Sequence, residues 1–442
     1  MTSASVLSDP LFDRKFDVIT EGIDPFVTKK LRKLSKENVI TITNFLLAIN
    51  TESNPSKGYR QQLLLRLCEL SKFVNNKEFR QIAREDLIQY MDKFRKPESV
   101  DPLHKWIGTY NLFLILLVKF FRWLFYPDLE PKNRPRPEVI ENIPQLKRKE
   151  KSIYKPSDLW TPEDDAIFLK YCGSKRASCY HTIIRDTGCR PHEILRLKLK
   201  DIAFKSEGDR QYAEIVVNGK TGTRPLPLID SLPYLKDYIL NEHPQQGNPN
   251  AAVIAGNGKS LGRPINVISL EGIYGHYKKS VFPKLLDNPT VIPEDKQKIK
   301  ELLKKPFSPY LVGRHTSLTQ KSKILRESTL RAFAGWSTNS GMPQRYIHYF
   351  GNEGCESILQ AYGILPKSQM PNTLKTKLCP NCNEGNKPDS KFCAKCLMVL
   401  TYDAYEETID KKGEKDDAIA VLSDQVMKLM TEVQELKKQN RI

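Results

Sequence analysis

The chain has 442 residues, 70 of them Lys or Arg against 52 Asp or Glu, for a formal net charge of +18. That length exceeds the ~250–300 residues of a single core and predicts two or more domains, while the basic surplus favours a polyanionic partner. A hydrophobic content of 39% with 9% aromatics excludes wholesale disorder, and a mean hydropathy of −0.49 argues against an integral membrane protein.

Residues 1–35 read as a loose N-terminal arm, with no apolar signal core. Over residues 36–127 the apolar spacing predicts a small domain of four helices. Ile40, Ile42, Phe45, Leu46 and Ile49 mark the first. Tyr59, Leu63, Leu64, Leu67, Leu70 and Phe73 mark the second, with start signals in Ser53, Asn54, Pro55 and Ser56. Leu87, Tyr90, Met91 and Phe94 mark the third, and the apolar run Tyr110 to Tyr126 is the fourth. That run is shorter than the ~20 residues of a membrane span and is broken by Lys119 and Arg122, so it reads as a buried helix. Five prolines between residues 127 and 155 and many basic residues then predict an extended linker over 128–155, able to lie along a phosphate backbone.

Thr161-Pro162-Glu163-Asp164 opens a second domain: an N-cap, a proline suited to the first helical position and acids that complement the helix dipole. Helical signals run on to about Gly363. The exception is β-rich Tyr212 to Val217, followed by Asn218-Gly219-Lys220-Thr221-Gly222 and Arg224 to Leu228, which predicts a β-hairpin. Residues 284–306 are charged and interrupted by proline, as in a surface excursion.

Five short boxes fall in this second domain. Thr187-Gly188-Cys189-Arg190-Pro191-His192-Glu193 turns into a helix, Lys220 lies on the hairpin, and Arg314-His315, Gly335-Trp336-Ser337 and Arg345-Tyr346-Ile347-His348 follow. In this order they resemble the signature of the tyrosine recombinase (phage integrase) family, and the block 331–351 looks most like its archaeal integrases. The likeness covers roughly residues 36–365. It implies a mainly α fold with a small β-hairpin or sheet (α+β), built from a helical core-binding domain over 36–127 that clamps DNA and a catalytic domain over 156–365. It also implies that Arg190 and Arg314 grip a phosphate, Lys220 is the general acid, Tyr346 is the nucleophile, and His315 and Trp336 complete the site, with Glu193 as a brace. One position departs from the family. Where a histidine usually stands three residues before the second arginine, this chain has Leu311, with Tyr310 as the neighbour able to substitute. Tyr349 competes with Tyr346 for the nucleophile, and the register of the box favours Tyr346.

These residue types suit the chemistry. Guanidinium groups give bidentate, charge-assisted hydrogen bonds to phosphate oxygens and stabilise the added charge of the transition state. A tyrosine oxygen can form a covalent phosphotyrosine, and a lysine can protonate the departing 5′-oxygen. The resemblance implies no cofactor for catalysis.

Nine cysteines do not make a secreted disulfide framework, and their distribution suits a reducing cytoplasm. Cys379, Cys382, Cys393 and Cys396 form a CxxC…CxxC with ten residues between the pairs, the spacing of a structural zinc ribbon over 374–400. Ile419, Leu422, Val426, Leu429, Val433 and Leu436 alternate in steps of three and four, predicting a coiled-coil helix over 414–440. The partners implied are double-stranded DNA and further copies of the chain, as a tetramer on two DNA sites. A type IB topoisomerase-like enzyme and a catalytically silent DNA-binding protein are the alternatives.

Overall fold

The computed structural model describes residues 10–148, 155–208, 210–219, 222–349, 374–406 and 421–430, with single positions 362, 408, 409 and 419. The chain divides into two units, Met1–Ile153 and Tyr154–Ile442. Among the described residues it is mainly α-helical, with a three-stranded and a two-stranded antiparallel sheet.

The first unit starts earlier than the sequence suggests. Helices α1 (Pro10–Thr20) and α2 (Pro25–Leu31) precede α3 (Lys36–Ser53), α4 (Lys57–Phe73), α5 (Arg84–Asp92) and α6 (Trp106–Phe125). The arm expected before residue 36 is therefore, from residue 10, folded: Phe16, Ile19, Ile23, Val27 and Leu31 are buried in the core. Asp24 accepts the Phe26 N–H at 2.8 Å, and Pro25 takes the first helical position, so α2 carries a strong start signal. Ser56 is the cap of α4, accepting from the Tyr59 N–H at 3.4 Å.

Helix α6 is long and apolar enough to cross a membrane by composition. Its Tyr110, Phe113, Leu114, Leu117, Phe120, Phe121 and Leu124 are instead buried in the bundle. Phe120 packs edge-on against Phe45 and Phe79 at 5.0 and 4.8 Å between ring centres, the geometry aromatic pairs prefer. The proline-rich stretch after α6 also differs from the extended linker expected. Arg134 pairs with Glu52 at 2.6 Å, Asn111 bonds the Leu146 backbone in both directions, and Ile140 of the short helix α7 (Glu138–Glu141) is fully buried with Ile143 close behind. Apolar residues spaced among the prolines give this segment a face to bury. Residues 149–154 lie outside the described residues.

The second unit runs α8 (Pro162–Lys170), α9 (Lys175–Thr187), α10 (Pro191–Leu195), β1 (Ile202–Glu207), β2 (Arg210–Gly219), β3 (Gly222–Leu228), α11 (Leu232–Asn241), α12 (Val267–His276), α13 (Phe282–Asp287), α14 (Pro293–Lys304), α15 (Thr316–Ser322), α16 (Glu327–Ala334) and α17 (Met342–Gln344). The start of α8 is a reciprocal capping box: Thr161 N–H to Asp164 at 2.7 Å and Asp164 N–H to the Thr161 hydroxyl at 3.3 Å. The sheet has order β1-β2-β3. The hairpin is β2–β3, with Gly219 opposite Gly222 and Ala213 opposite Leu228. Strand β1 adds to the two strands expected; its IAFKSE sequence is almost wholly exposed and shows no apolar alternation. The segment 284–306 is not a loose excursion. Helix α14 buries Ile299 and Leu302, and its Asp295 accepts from Lys170 and Tyr171 of the α8 end.

A charged network lies inside this unit. Asp165 accepts from Arg185 at 2.9 and 2.6 Å and pairs with His181 at 3.0 Å, whose other ring nitrogen meets Tyr274. Arg185 continues to Gln320, and its carbonyl accepts from Ser317. The network ties α8, α9, α12 and α15 together immediately behind the Gly188 turn.

Candidate active site and metal site

Each candidate segment is shaped by local rules. Helix α9 ends at Gly188, whose φ of 57° is a left-handed cap. The chain then reverses, and Pro191 starts α10 with Arg190 at its cap position. Glu193, on the first turn of α10, accepts the Arg190 N–H at 3.0 Å and the Arg190 Nη1 at 3.0 Å. Tyr310–His315 and Arg345–Tyr349 are π-helical turns, a rare geometry found often at functional sites; Tyr277–Val281 is a third. Gly335, φ 62°, caps α16 in the left-handed region and delivers Trp336.

Hydrogen bonds join these segments. Arg314 is buried and donates through Nη1 to the Gly188 carbonyl at 2.8 Å and through Nη2 to the Ala334 carbonyl at 2.9 Å. Its guanidinium lies 5.8 Å from the Trp336 ring centre, within cation–π range. Tyr346 is only 1% exposed. Its ring stacks between Trp336 at 5.2 Å and His315 at 5.6 Å. Its hydroxyl meets His315 Nδ1 at 3.0 Å. The Tyr310 ring lies 5.6 Å from His315, whereas Leu311 is a fully buried core residue. A π turn carries one residue more than an α turn, which puts Tyr310, five residues before His315, on the His315 side.

Electrostatics follow from burial and crowding of positive charge. Burial and the cations of Arg345 and Arg314 push the His315 pKa down to about 4, so the ring is neutral near pH 7. Burial pushes the Tyr346 phenol up to about 12, against the pull of Arg314, Arg345 and Arg190. Burial and the neighbouring Arg190 lower the pKa of Arg314. Burial would raise the Glu193 carboxyl, but hydrogen bonds from Arg224 and the Arg190 backbone hold it at about 2. Two guanidinium groups kept this close invite an anion between them.

The structure thus brings together Arg190, Glu193, Arg314, His315, Trp336 and Tyr346, with Tyr310 at the edge, 39% exposed. Lys220 lies outside the described residues, as does the side chain of Tyr349. Sequence reasoning missed Arg224, which donates to Glu193 at 2.7 Å and to the Phe333 carbonyl at 3.0 Å. Its signal is the alternation on β3, where Arg224, Leu226 and Leu228 share the buried face.

The four cysteines of the C-terminal cluster place their sulfurs within 4.8 Å of one another, a group able to hold a metal ion. Two equivalent turns build it. Asn383 N–H bonds the Cys379 carbonyl at 2.9 Å, and Leu397 N–H bonds the Cys393 carbonyl at 3.0 Å. Cys379 N–H reaches Glu384 and Cys393 N–H reaches Met398. Asn383 and Leu397 both have positive φ, so each CxxC turn closes in the same way. Strands β4 (Lys377–Leu378) and β5 (Gly385–Asn386) flank the first turn. Glu384 pairs with Lys236, and Lys387 pairs with Asp237, docking this module on α11. Residues 421–430 are helical, with Leu422, Val426 and Leu429 exposed; the remainder of the expected coiled coil, apart from position 419, lies outside the described residues.

No family model matches the chain, and no curated protein matches it. Among solved structures it is similar to tyrosine recombinases and integrases. A XerH site-specific recombinase bound to a palindromic difH substrate is 18% identical, over 81% of this chain and 98% of that one, with a TM-score of 0.44. The Tn1549 transposon integrase in complex with transposon right-end DNA is 15% identical, over 73% and 99%, with a TM-score of 0.47. A XerA recombinase is 14% identical, over 73% and 98%, with a TM-score of 0.33.

Proposed function

We propose that this protein is a site-specific DNA recombinase or integrase that cuts and rejoins strands through a 3′-phosphotyrosine at Tyr346. The observation that carries the reading is the 3.0 Å contact between the Tyr346 hydroxyl and His315 Nδ1, beside buried Arg314. A phenol with a pKa near 12 needs a base; His315 is the acceptor within reach, made weak by its burial among arginines and helped as the phosphate brings negative charge to the site. Tyr346 Oη forms a bond to phosphorus as its proton passes to His315 Nδ1. The bond to the 5′-oxygen breaks, and Lys220 protonates that oxygen. Arg190 and Arg314 hold the nonbridging oxygens and offset their growing charge. Because the bond energy is kept in the phosphotyrosine, attack by a 5′-hydroxyl reverses the steps and reseals a strand. Exchange between two duplexes then passes through a four-way junction. Since Tyr346 is buried, the 345–349 turn has to admit the phosphate before attack.

The partners in this reading are double-stranded DNA and further copies of the chain, with a tetramer on two sites. The exposed Leu422, Val426 and Leu429 stripe supports association through the C-terminal helix. Residues 36–127 serve as the core-binding domain and 156–365 as the catalytic domain. Cys379, Cys382, Cys393 and Cys396 hold a structural zinc. Thiolates about 2.3 Å from a tetrahedral zinc lie about 3.8 Å apart, close to the 3.5 and 3.6 Å between facing sulfurs here. Zinc supplies folding energy to the ribbon and no catalytic step. The buried free thiols Cys68, Cys179 and Cys189 suit a reducing cytoplasm.

The test is trapping on nicked suicide duplexes drawn from the protein's own genomic neighbourhood, resolved on a denaturing gel. The wild-type protein gives a DNA-linked band; Tyr346→Phe binds the same duplex and gives none. Tight binding with no linked band on any such duplex would favour a silent DNA-binding protein. Elemental analysis should find one zinc per chain, and metal-free folded protein would remove the ribbon assignment.

A further inference from the structure

Arg224 stands where three candidate segments meet. It lies on the core-facing row of β3. Its Nη2 donates to Glu193 Oε2 at 2.7 Å and approaches Cys189 Sγ at 3.7 Å, and its Nε donates to the Phe333 carbonyl at 3.0 Å. Its Nη1 is buried against two glycines: a Cβ would lie 2.9 Å from it at Gly219 and 2.6 Å from it at Gly335. Gly219 immediately precedes Lys220, and Gly335 immediately precedes Trp336. Only glycine at both places leaves room for this guanidinium.

The effect on Glu193 is specific. Its Oε2 accepts from Arg224 Nη2 and from the Arg190 N–H, leaving Oε1 for Arg190 Nη1 at 3.0 Å. A carboxylate with both oxygens open takes a guanidinium in a two-pronged pair. With Oε2 filled, Arg190 is held by one terminal nitrogen. Its second edge stays open, on a side chain 21% exposed.

We infer that Arg224 is a positioning residue that occupies Glu193 so that Arg190 keeps a free guanidinium edge for the scissile phosphate, and that it sets the spacing of the Lys220 and Trp336 segments. The inference rests on the phosphotyrosine reading above. Without Arg224, Glu193 captures Arg190 with both oxygens and the anion site closes.

Four proteins decide it: wild type, Arg224→Lys, Arg224→Met and the double variant Arg224→Met/Glu193→Gln. Single-turnover adduct formation is measured on the trapped duplex, alongside duplex affinity. Arg224→Met should lose about 10²-fold in rate, the scale of a small misplacement, with affinity held. Arg224→Lys should fall between. The double variant should regain at least tenfold, because no carboxylate remains to capture Arg190. A merely structural role predicts no such rescue. In parallel, inorganic phosphate should raise the melting temperature of wild type and of the double variant, but not of Arg224→Met. Equal phosphate response in Arg224→Met, or a double variant no better than the single one, overturns the inference. If wild type forms no adduct on any duplex, the recombinase reading fails and the phosphate series still decides the role of Arg224.

Discussion

Around Phe120 in the first unit, the buried side chains are aromatic and aliphatic. The polar ones buried among them, such as Asn38, Thr43 and Ser71, are uncharged and hydrogen-bonded within the unit. Around Arg314 in the second unit, the buried side chains include Asp165, Arg185, Glu193, Arg224 and His315. Burying a charge costs several kcal/mol unless partners offset it. The first unit avoids that cost, apart from pairs such as Arg134 with Glu52 at its margin. The second accepts it, and gains guanidinium groups held at fixed positions in a poorly solvated place. Each unit has its own apolar core, the second adds buried charge to it, and the two can be broken separately.

The largest break should come from Asp165→Ala. It leaves Arg185 and His181 buried without their carboxylate, and removing one partner of a buried pair costs about 3–5 kcal/mol. In calorimetry the transition of the second unit should drop while that of the first stays; equal shifts in both would contradict the separation. Next is Leu117→Ala in the fully packed first unit, expected to cost about 2–5 kcal/mol. Its expected signature is the reverse: a lower first transition, with adduct chemistry on a pre-bound duplex unchanged at temperatures below it.

Acid should produce a smaller, graded effect in the second unit. His315 has a folded pKa near 4 against 6.5 for a free imidazole. As pH falls from about 6.5 to 4, the unfolded chain takes up a proton that the folded one does not, so stability falls. Glu193, near 2 against 4.5, extends the loss as pH falls further. The same logic fixes the rate. Adduct formation should stay level from pH 8 to pH 5, because His315 remains an acceptor; a loss centred near 6.5 would mean an exposed, ordinary histidine.

The sequence is most legible where one residue type is demanded by one local task. The order of Arg190, Arg314, Trp336 and Tyr346, the CxxC pairs and the hairpin Gly219 and Gly222 are visible as short motifs, because turns and ligands need particular residues at fixed spacing. Helices α3 to α6 are visible because their apolar spacing is strong. Helices α1 and α2 escaped because they are short and amphipathic within a charged stretch, and their cores form only against the bundle. The proline-rich stretch misled for a related reason: Ile140 and Ile143 bury a face that no periodicity announces. Arg224 escaped because a basic residue in a strand reads as exposed until the alternation with Leu226 and Leu228 is taken seriously. Leu311 in place of a histidine was visible, but the π turn that brings Tyr310 to His315 was not.

The central claim is that Tyr346, and no other tyrosine, attacks the phosphate. Trypsin should cut after Arg345 and Lys367, releasing a peptide that carries Tyr346, Tyr349 and Tyr362. Fragmentation of this peptide from the trapped, nuclease-trimmed adduct should place the residual nucleotide on Tyr346. A nucleotide on Tyr349, Tyr362 or any peptide elsewhere in the chain would contradict the account.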